Sequence, residues 1–206
     1  MSLRSSIVSQ FRRPDGLLGA AAGLVMANRP SNVRRNLWTV DLLDPQPGHH
    51  VLEIGCGPGL ALKSCAAHLT GGHVLGIDHS AVMVRQASHR LREEISQGKA
   101  AVRQMGGDSI SELSGPFDRI FSLNVIQFVS DIDRLFADMH ALLAVGGMAA
   151  TTYQPRSKNP TREQALDMAV RIEAAMRRAG FSGIATHELD LRPVPAICVT
   201  GRKGSC

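Results

Sequence analysis

The stretch Val51-Leu52-Glu53-Ile54-Gly55-Cys56-Gly57-Pro58-Gly59-Leu60 constrains the fold of this chain more than any other segment. A mostly apolar run with the look of a strand enters three alternating glycines, and a helix with Pro58 in its first turn follows. A glycine turn of this kind lets a ligand lie against bare backbone. The helix start adds unpaired N–H groups and a positive dipole end, which suit a carboxylate or phosphate. A ligand site at the carboxyl edge of a sheet is therefore expected here.

The rest of the chain fits a sheet of that type. From His50 onward apolar runs alternate with stretches of helical period, the pattern of a parallel sheet covered by helices on both faces. Strands are predicted at 50–54, 73–77, 100–105, 119–123, 147–153, 184–191 and 196–202. Helices are predicted after Pro58, ending before Gly71, and from the Ser80 N-cap to Gly98. A third starts at Ser130 or Asp131, with Ile132, Leu135, Phe136, Met139, Leu142 and Leu143 on one face. The fourth runs from the capping box Thr161–Gln164 to Gly180. Only Arg192 to Pro195 separates the last two strands, so they pair as an antiparallel hairpin at one edge. The expected architecture is a Rossmann-like seven-stranded, mostly parallel sheet with an antiparallel last strand. Residues 46–206 form this domain, and residues 1–45 a short helical cap over the carboxyl edge. In that cap Ser31 is expected to start a helix presenting Val33, Leu37 and Val40, and Asp15 an earlier one.

Composition excludes several classes. With 44% hydrophobic and 20% charged residues among 206, wholesale disorder is out and a buried core is within reach. Aromatics make up only 4%, which argues against a base-stacking platform for single-stranded nucleic acid. The net charge of +5 is scattered in pairs such as Arg12/Arg13, Arg34/Arg35 and Arg177/Arg178 and suits anionic ligands in general. The four cysteines form no C-x-x-C pair and the eight histidines no H-x-x-x-H or H-x-H pair, so no metal site is expected. Gly16 to Ala27 is an apolar run of 12 residues, short of the roughly 20 that cross a bilayer, and its flanks make a poor signal peptide. A cytoplasmic location with reduced thiols is the expectation.

Two acids beyond the glycine turn point to a nucleoside. Asp78 closes the second strand, where a carboxylate can accept both hydroxyls of a ribose. Asp108, in Gly106-Gly107-Asp108-Ser109 after the third strand, can accept from an exocyclic amine. The dinucleotide fingerprint G-x-G-x-x-G fails because position 60 is Leu60, and no Tyr-x-x-x-Lys pair supports a nicotinamide oxidoreductase. Glu53, Gly55, Gly57, Gly59 and Asp78 together resemble the signature of the class I S-adenosylmethionine-dependent methyltransferases. The resemblance continues through Asp108-Ser109, Phe117 to Asn124 and Leu142 to Gly147, and spans roughly residues 45 to 202. Within the family the chain is most similar to the compact small-molecule methyltransferases.

The resemblance implies S-adenosylmethionine as cofactor, lying across the carboxyl ends of the first, second and fourth strands. Gly55, Cys56 and Gly57 would approach its methionine part, and Glu53 would hold the ammonium directly or through water. Asp78 would grip the ribose, His79 and Met83 would pack along the adenine, Asp108 and Ser109 would read its edge, and Asn124 would present backbone or amide. Gln127 and Tyr153, with Met26 and Asn28 from the cap, are candidates for the acceptor pocket. A sulfonium gives up methyl by in-line displacement, so positioning and exclusion of water can carry much of catalysis, and no catalytic base is assigned.

Blander roles compete at several positions. Asp78 can simply precede a helix, Asp108 can serve turn chemistry, Met83 can be core, and Asp118 reads as a structural hydrogen-bonding residue. The Cys56 thiol is incidental unless the helix start depresses its pKa and makes it reactive. The segment Ser122-Leu123-Asn124-Val125-Ile126 lacks the Asn-Pro-Pro-Tyr type motif of enzymes that methylate amino groups of bases or glutamine. The expected partner is a small organic acceptor; an RNA or protein substrate, or cofactor binding without turnover, are the alternatives.

Overall fold

The computed structural model describes residues 29–204. Helix α1 (Pro30–Leu43) is followed by β1 (His50–Ile54), α2 (Leu60–His68), β2 (His73–Asp78), α3 (Ala81–Arg90), α4 (Arg92–Ser96) and β3 (Ala100–Gln104). A 3₁₀ turn (Gly107–Glu112), β4 (Phe117–Leu123) and a second 3₁₀ turn (Ile126–Phe128) come next. Then follow α5 (Ile132–Leu142), β5 (Leu143–Tyr153), α6 (Arg162–Arg178), β6 (Phe181–Leu189) and β7 (Ala196–Lys203).

These strands make one seven-stranded sheet of order β3-β2-β1-β4-β5-β7-β6. All neighbouring pairs are parallel except those of β7, which runs antiparallel to both β5 and β6. The central strands are buried on both faces, which is why they read as near-continuous apolar runs. Successive residues still alternate between two cores. Leu52, Ile54 and Ile120 join the core packed with α5 and α6, whereas Val51 and Phe121 join the core packed with α1, α2 and α3. The chain order reverses between β1 and β4, the kind of switch point at whose carboxyl edge sheets of this type bind ligands.

The expected fold class holds, while several boundaries move for identifiable reasons. The α1 helix starts at Pro30, with Arg29 rather than Ser31 as N-cap, since a proline at N1 lacks only an N–H that the helix leaves unpaired anyway. Of the expected inward face only Val40 is fully buried: Val33 is half-buried, Leu37 is 44% exposed, and Arg35, Asn36, Thr39 and Leu43 are buried beside Val40. Polar residues turn inward because they have partners there, for the Thr39 hydroxyl bonds Thr152 and Arg35 reaches Gln154. The α1 axis runs along the sheet, with Arg35 near the end of β5 and the Leu43 carbonyl accepting from Arg119 near the start of β4. The helix predicted after Pro58 ends at His68, and its N-cap is Gly59, so Pro58 lies before its first turn. The Ser80-to-Gly98 helix breaks at Leu91, whose ψ of 19° is not helical. β5 starts four residues early, at Leu143, because Leu143 pairs with Phe117 before an irregularity in register. β6 runs Phe181–Leu189 because Phe181 pairs with Lys203. Ser80, Asp131 and Thr161 cap their helices as read, the last in a full capping box. Asp118 is structural: its carboxylate accepts from the His50 N–H at 2.8 Å.

Candidate active site

The glycine turn leaves β1 at the switch point, and the three glycines all take left-handed backbone, with φ of 69°, 51° and 78° at Gly55, Gly57 and Gly59. A Cβ on Gly55 would stand 2.4 Å from Val125 Cγ2, so the turn presses against the segment that follows β4. A Cβ on Gly57 would meet no heavy atom within 4 Å, so that glycine faces open space. One glycine is thus needed for packing, and the other leaves open space above its Cα.

Two carboxylates flank this turn. Glu53 on β1 is 2% exposed, and one of its oxygens, Oε2, is buried without a hydrogen-bond partner. The α2 N-cap, Gly59, supplies no side-chain cap, and the Leu62 N–H of the first turn acts against the rise in the Glu53 pKa. Burial, and secondly the charge of Asp78, pushes the Glu53 pKa well above the usual carboxylate range. Asp78 ends β2 and is 6% exposed. Its Oδ2 accepts from the Gly57 N–H at 2.9 Å and its Oδ1 from the Ser80 N–H at 2.8 Å, tying the glycine turn to the next helix. Each oxygen retains acceptor capacity for a hydroxyl. An orphaned buried carboxylate oxygen beside open glycine backbone suits a ligand with an ammonium and a ribose, the groups that S-adenosylmethionine carries. Those residues fit the cofactor.

Other predicted residues surround the same edge. Cys56 lies within the turn with its N–H on the Ile77 carbonyl, and its thiol is buried. Burial, then Glu53 and Asp78, raises its pKa well above the ordinary thiol value, so the expectation of a depressed, reactive thiol is wrong. The nearby carboxylates and desolvation outweigh the helix end. His79 follows Asp78, is exposed, and places Nδ1 3.5 Å from Asp78 Oδ1. Met83 is buried in the first turn of α3, where its N–H completes the Ser80 cap. Asp108 is exposed and Ser109 half-buried in the 3₁₀ turn after β3. A Cβ on Gly106 would lie 2.3 Å from Asp108 Oδ1, so the carboxylate folds over its own loop.

Asn124 takes φ of 53° just past β4, and its side-chain oxygen accepts from the Gln154 N–H at 2.8 Å. That oxygen is engaged in joining the ends of β4 and β5. Gln127 is half-buried in the second 3₁₀ turn and its Oε1 is buried without a partner. Tyr153 ends β5, half-buried, with burial raising its pKa. Met26 and Asn28 lie outside the described residues. Sequence reasoning missed Arg35 and Gln154 altogether. Arg35 is 3% exposed and donates to Gln154 Oε1 and Asn32 Oδ1, while Gln154 donates to the Val194 carbonyl. A pairing across 119 positions leaves no local signal.

Comparison with known proteins agrees with this geometry. Residues 52–149 match the methyltransferase domain family. The chain is 29% identical over 185 residues to the uncharacterised methyltransferase YdaC of Bacillus subtilis, covering 88% of this chain and 97% of that one. It is 28% identical over 154 residues to trans-aconitate 2-methyltransferase of Paracidovorax citrulli, covering 70% of this chain but 56% of that enzyme. Among solved structures, Haemonchus contortus phosphoethanolamine N-methyltransferase 2, bound to phosphomonomethylethanolamine and S-adenosylhomocysteine, superposes with a TM-score of 0.65 at 19% identity. The match covers 84% of this chain and 53% of that one.

Proposed function

This chain belongs to the class I S-adenosylmethionine-dependent methyltransferases, and on that premise we propose that it transfers methyl to a small organic acceptor. It is an enzyme of that family and S-adenosylmethionine is its cofactor. The relatives named trans-aconitate 2-methyltransferase and phosphoethanolamine N-methyltransferase support an acceptor of small size.

The single observation that carries the site is the partnerless Glu53 Oε2, buried at the switch point beside the open backbone of Gly57. When bound, the cofactor supplies a methyl already activated on a sulfonium. Glu53 binds the ammonium there, and Gly55, Cys56 and Gly57 hold the methionine part through backbone. Asp78 orients the ribose while keeping the turn closed through Gly57. His79 and Met83 flank the adenine, and Asp108 and Ser109 bond its edge. Asn124 acts mainly by clamping β4 to β5, which sets the floor between donor and acceptor. Gln127, with its partnerless Oε1, and Tyr153 line the acceptor side. Orientation and exclusion of water by these groups supply the rate.

The test is incubation of the purified chain with methyl-labelled S-adenosylmethionine and a fractionated extract. Label captured in a low-molecular-weight fraction is expected; label in RNA or protein fractions alone would overturn the small-acceptor reading.

A further inference from the structure

We propose that the acceptor carries an oxyanion, a carboxylate or a phosphate, held by Arg35 and Arg156 beside the end of β5. The proposal rests on the methyl-transfer reading above and names the substrate class of that site. Arg35 is almost fully buried, yet its guanidinium meets only the neutral side-chain amides of Gln154 and Asn32, and its Nε is buried without a partner. A buried guanidinium with no carboxylate against it is costly, and charges of this kind are normally paired. Among the described residues no acid forms an ion pair with Arg35, Arg156 or Arg29.

Its neighbours add positive charge. Arg156 follows Gln154 by two residues and remains partly exposed, while its charge, after burial, lowers the Arg35 pKa to about 9. Burial and Arg29 lower the Arg156 pKa in turn. Arg29 is the N-cap of α1, whose first turns carry Asn32 and Arg35. The 28 residues that precede Arg29 contain a single acid, Asp15, against Arg4, Arg12 and Arg13, so the sequence offers little to neutralise the cluster.

The cluster also stands where an acceptor belongs. The Gln154 N–H bonds Asn124, and the next residue, Val125, packs against Gly55 of the cofactor turn. Arg35 is therefore one side chain removed from the floor between donor and acceptor. An oxyanion bound there would supply the missing acceptor for Nε and relieve the repulsion between guanidinium groups. A buried guanidinium suits a small anion better than a nucleic-acid backbone, which is gripped by exposed cations.

The test is titration calorimetry of the full chain with malonate, inorganic phosphate and dimethyl malonate, each with and without saturating S-adenosylhomocysteine. One of the two oxyanions is expected to bind at least tenfold more tightly than the neutral ester, and whichever is tighter assigns carboxylate or phosphate. Arg156→Gln, an exposed change that folding tolerates, is expected to weaken that binding about tenfold with S-adenosylhomocysteine affinity unchanged. Arg34→Gln removes the same charge from the outer face of α1 and is expected to change nothing. Equal binding of oxyanion and ester, equal effects of the two variants, or a homopolymeric RNA binding more tightly than either oxyanion would overturn the proposal. Absence of heat with S-adenosylhomocysteine would instead remove the methyl-transfer reading, since the oxyanion arm is also run without it.

Discussion

The two halves of the carboxyl edge carry opposite charge. On the β1–β2 side the buried groups are Glu53 and Asp78, with burial and then the Asp78 charge raising the cost of ionising Glu53, beside open space at Gly57. On the β5 side they are Arg35 and Gln154, with Arg156 close by and no acid among the described residues in contact. Asn124, just past β4 between the two, is fixed to the second half by its backbone N–H on Thr152 and its side chain on Gln154. Each half leaves an ionisable side chain with a buried atom unsatisfied, Glu53 Oε2 and Arg35 Nε, and the two call for partners of opposite sign. A cation-bearing donor and an anionic acceptor meeting at Asn124 would satisfy both.

That contrast can be broken most forcefully on the acidic side. Asp78→Ala removes the ribose acceptor and the anchor for the Gly57 and Ser80 N–H groups. Losing two charge-assisted bonds of about 1.5 kcal/mol each predicts a roughly hundredfold loss of S-adenosylhomocysteine affinity by calorimetry. A change under threefold would remove Asp78 from the site.

Glu53→Gln sharpens the comparison because it separates binding from stability. It keeps shape and removes the carboxylate, so donor affinity is expected to fall about tenfold. The unliganded chain should melt roughly 2–4 °C higher, the shift of about 1 kcal/mol at this size. The pH dependence follows from the raised pKa. Above the ordinary value of 4.5 the unfolded chain releases this proton while the folded chain holds it, so the Glu53 contribution to stability declines as pH rises through that range. Denaturant melts across pH 4 to 8 should show that decline in the wild type and a flatter curve in the variant. Parallel curves would place no buried proton on Glu53.

Gly57→Ala is a gentler probe. Its Cβ has room, so the folding cost is the left-handed backbone alone, about 1 kcal/mol, while the methyl projects into the cofactor space. About fivefold weaker donor binding is expected, and unchanged binding would mean that no ligand lies there. The smallest effect is predicted at Cys56, where a buried thiol of raised pKa should resist iodoacetamide at pH 8 in the native protein. Rapid alkylation would contradict the buried geometry.

The acidic half was legible in the sequence because its parts are local. Glu53, the glycines and Asp78 sit on two successive strands joined by one helix, so their spacing transmits their geometry. The topology was legible for the same reason: apolar period and cap residues such as Ser80 and Thr161 act within a few positions. The basic half was not. Arg35 reads as half of an exposed Arg-Arg pair on a helix whose apolar stripe suggests Leu37 as the inward residue, and only tertiary contact with Gln154 and Thr152 turns the polar face inward. Cys56 misled for a related reason, since its dipole is local but its burial beside Glu53 is set by the whole sheet.

The central claim is that the crevice between Glu53 and Asp78 holds an adenosine-linked donor. Titration calorimetry of the folded full chain with S-adenosylhomocysteine tests it most directly. Saturable one-to-one binding that Asp78→Ala largely abolishes is the expected result. A folded chain giving no heat, or binding that both Glu53→Gln and Asp78→Ala leave untouched, would contradict it.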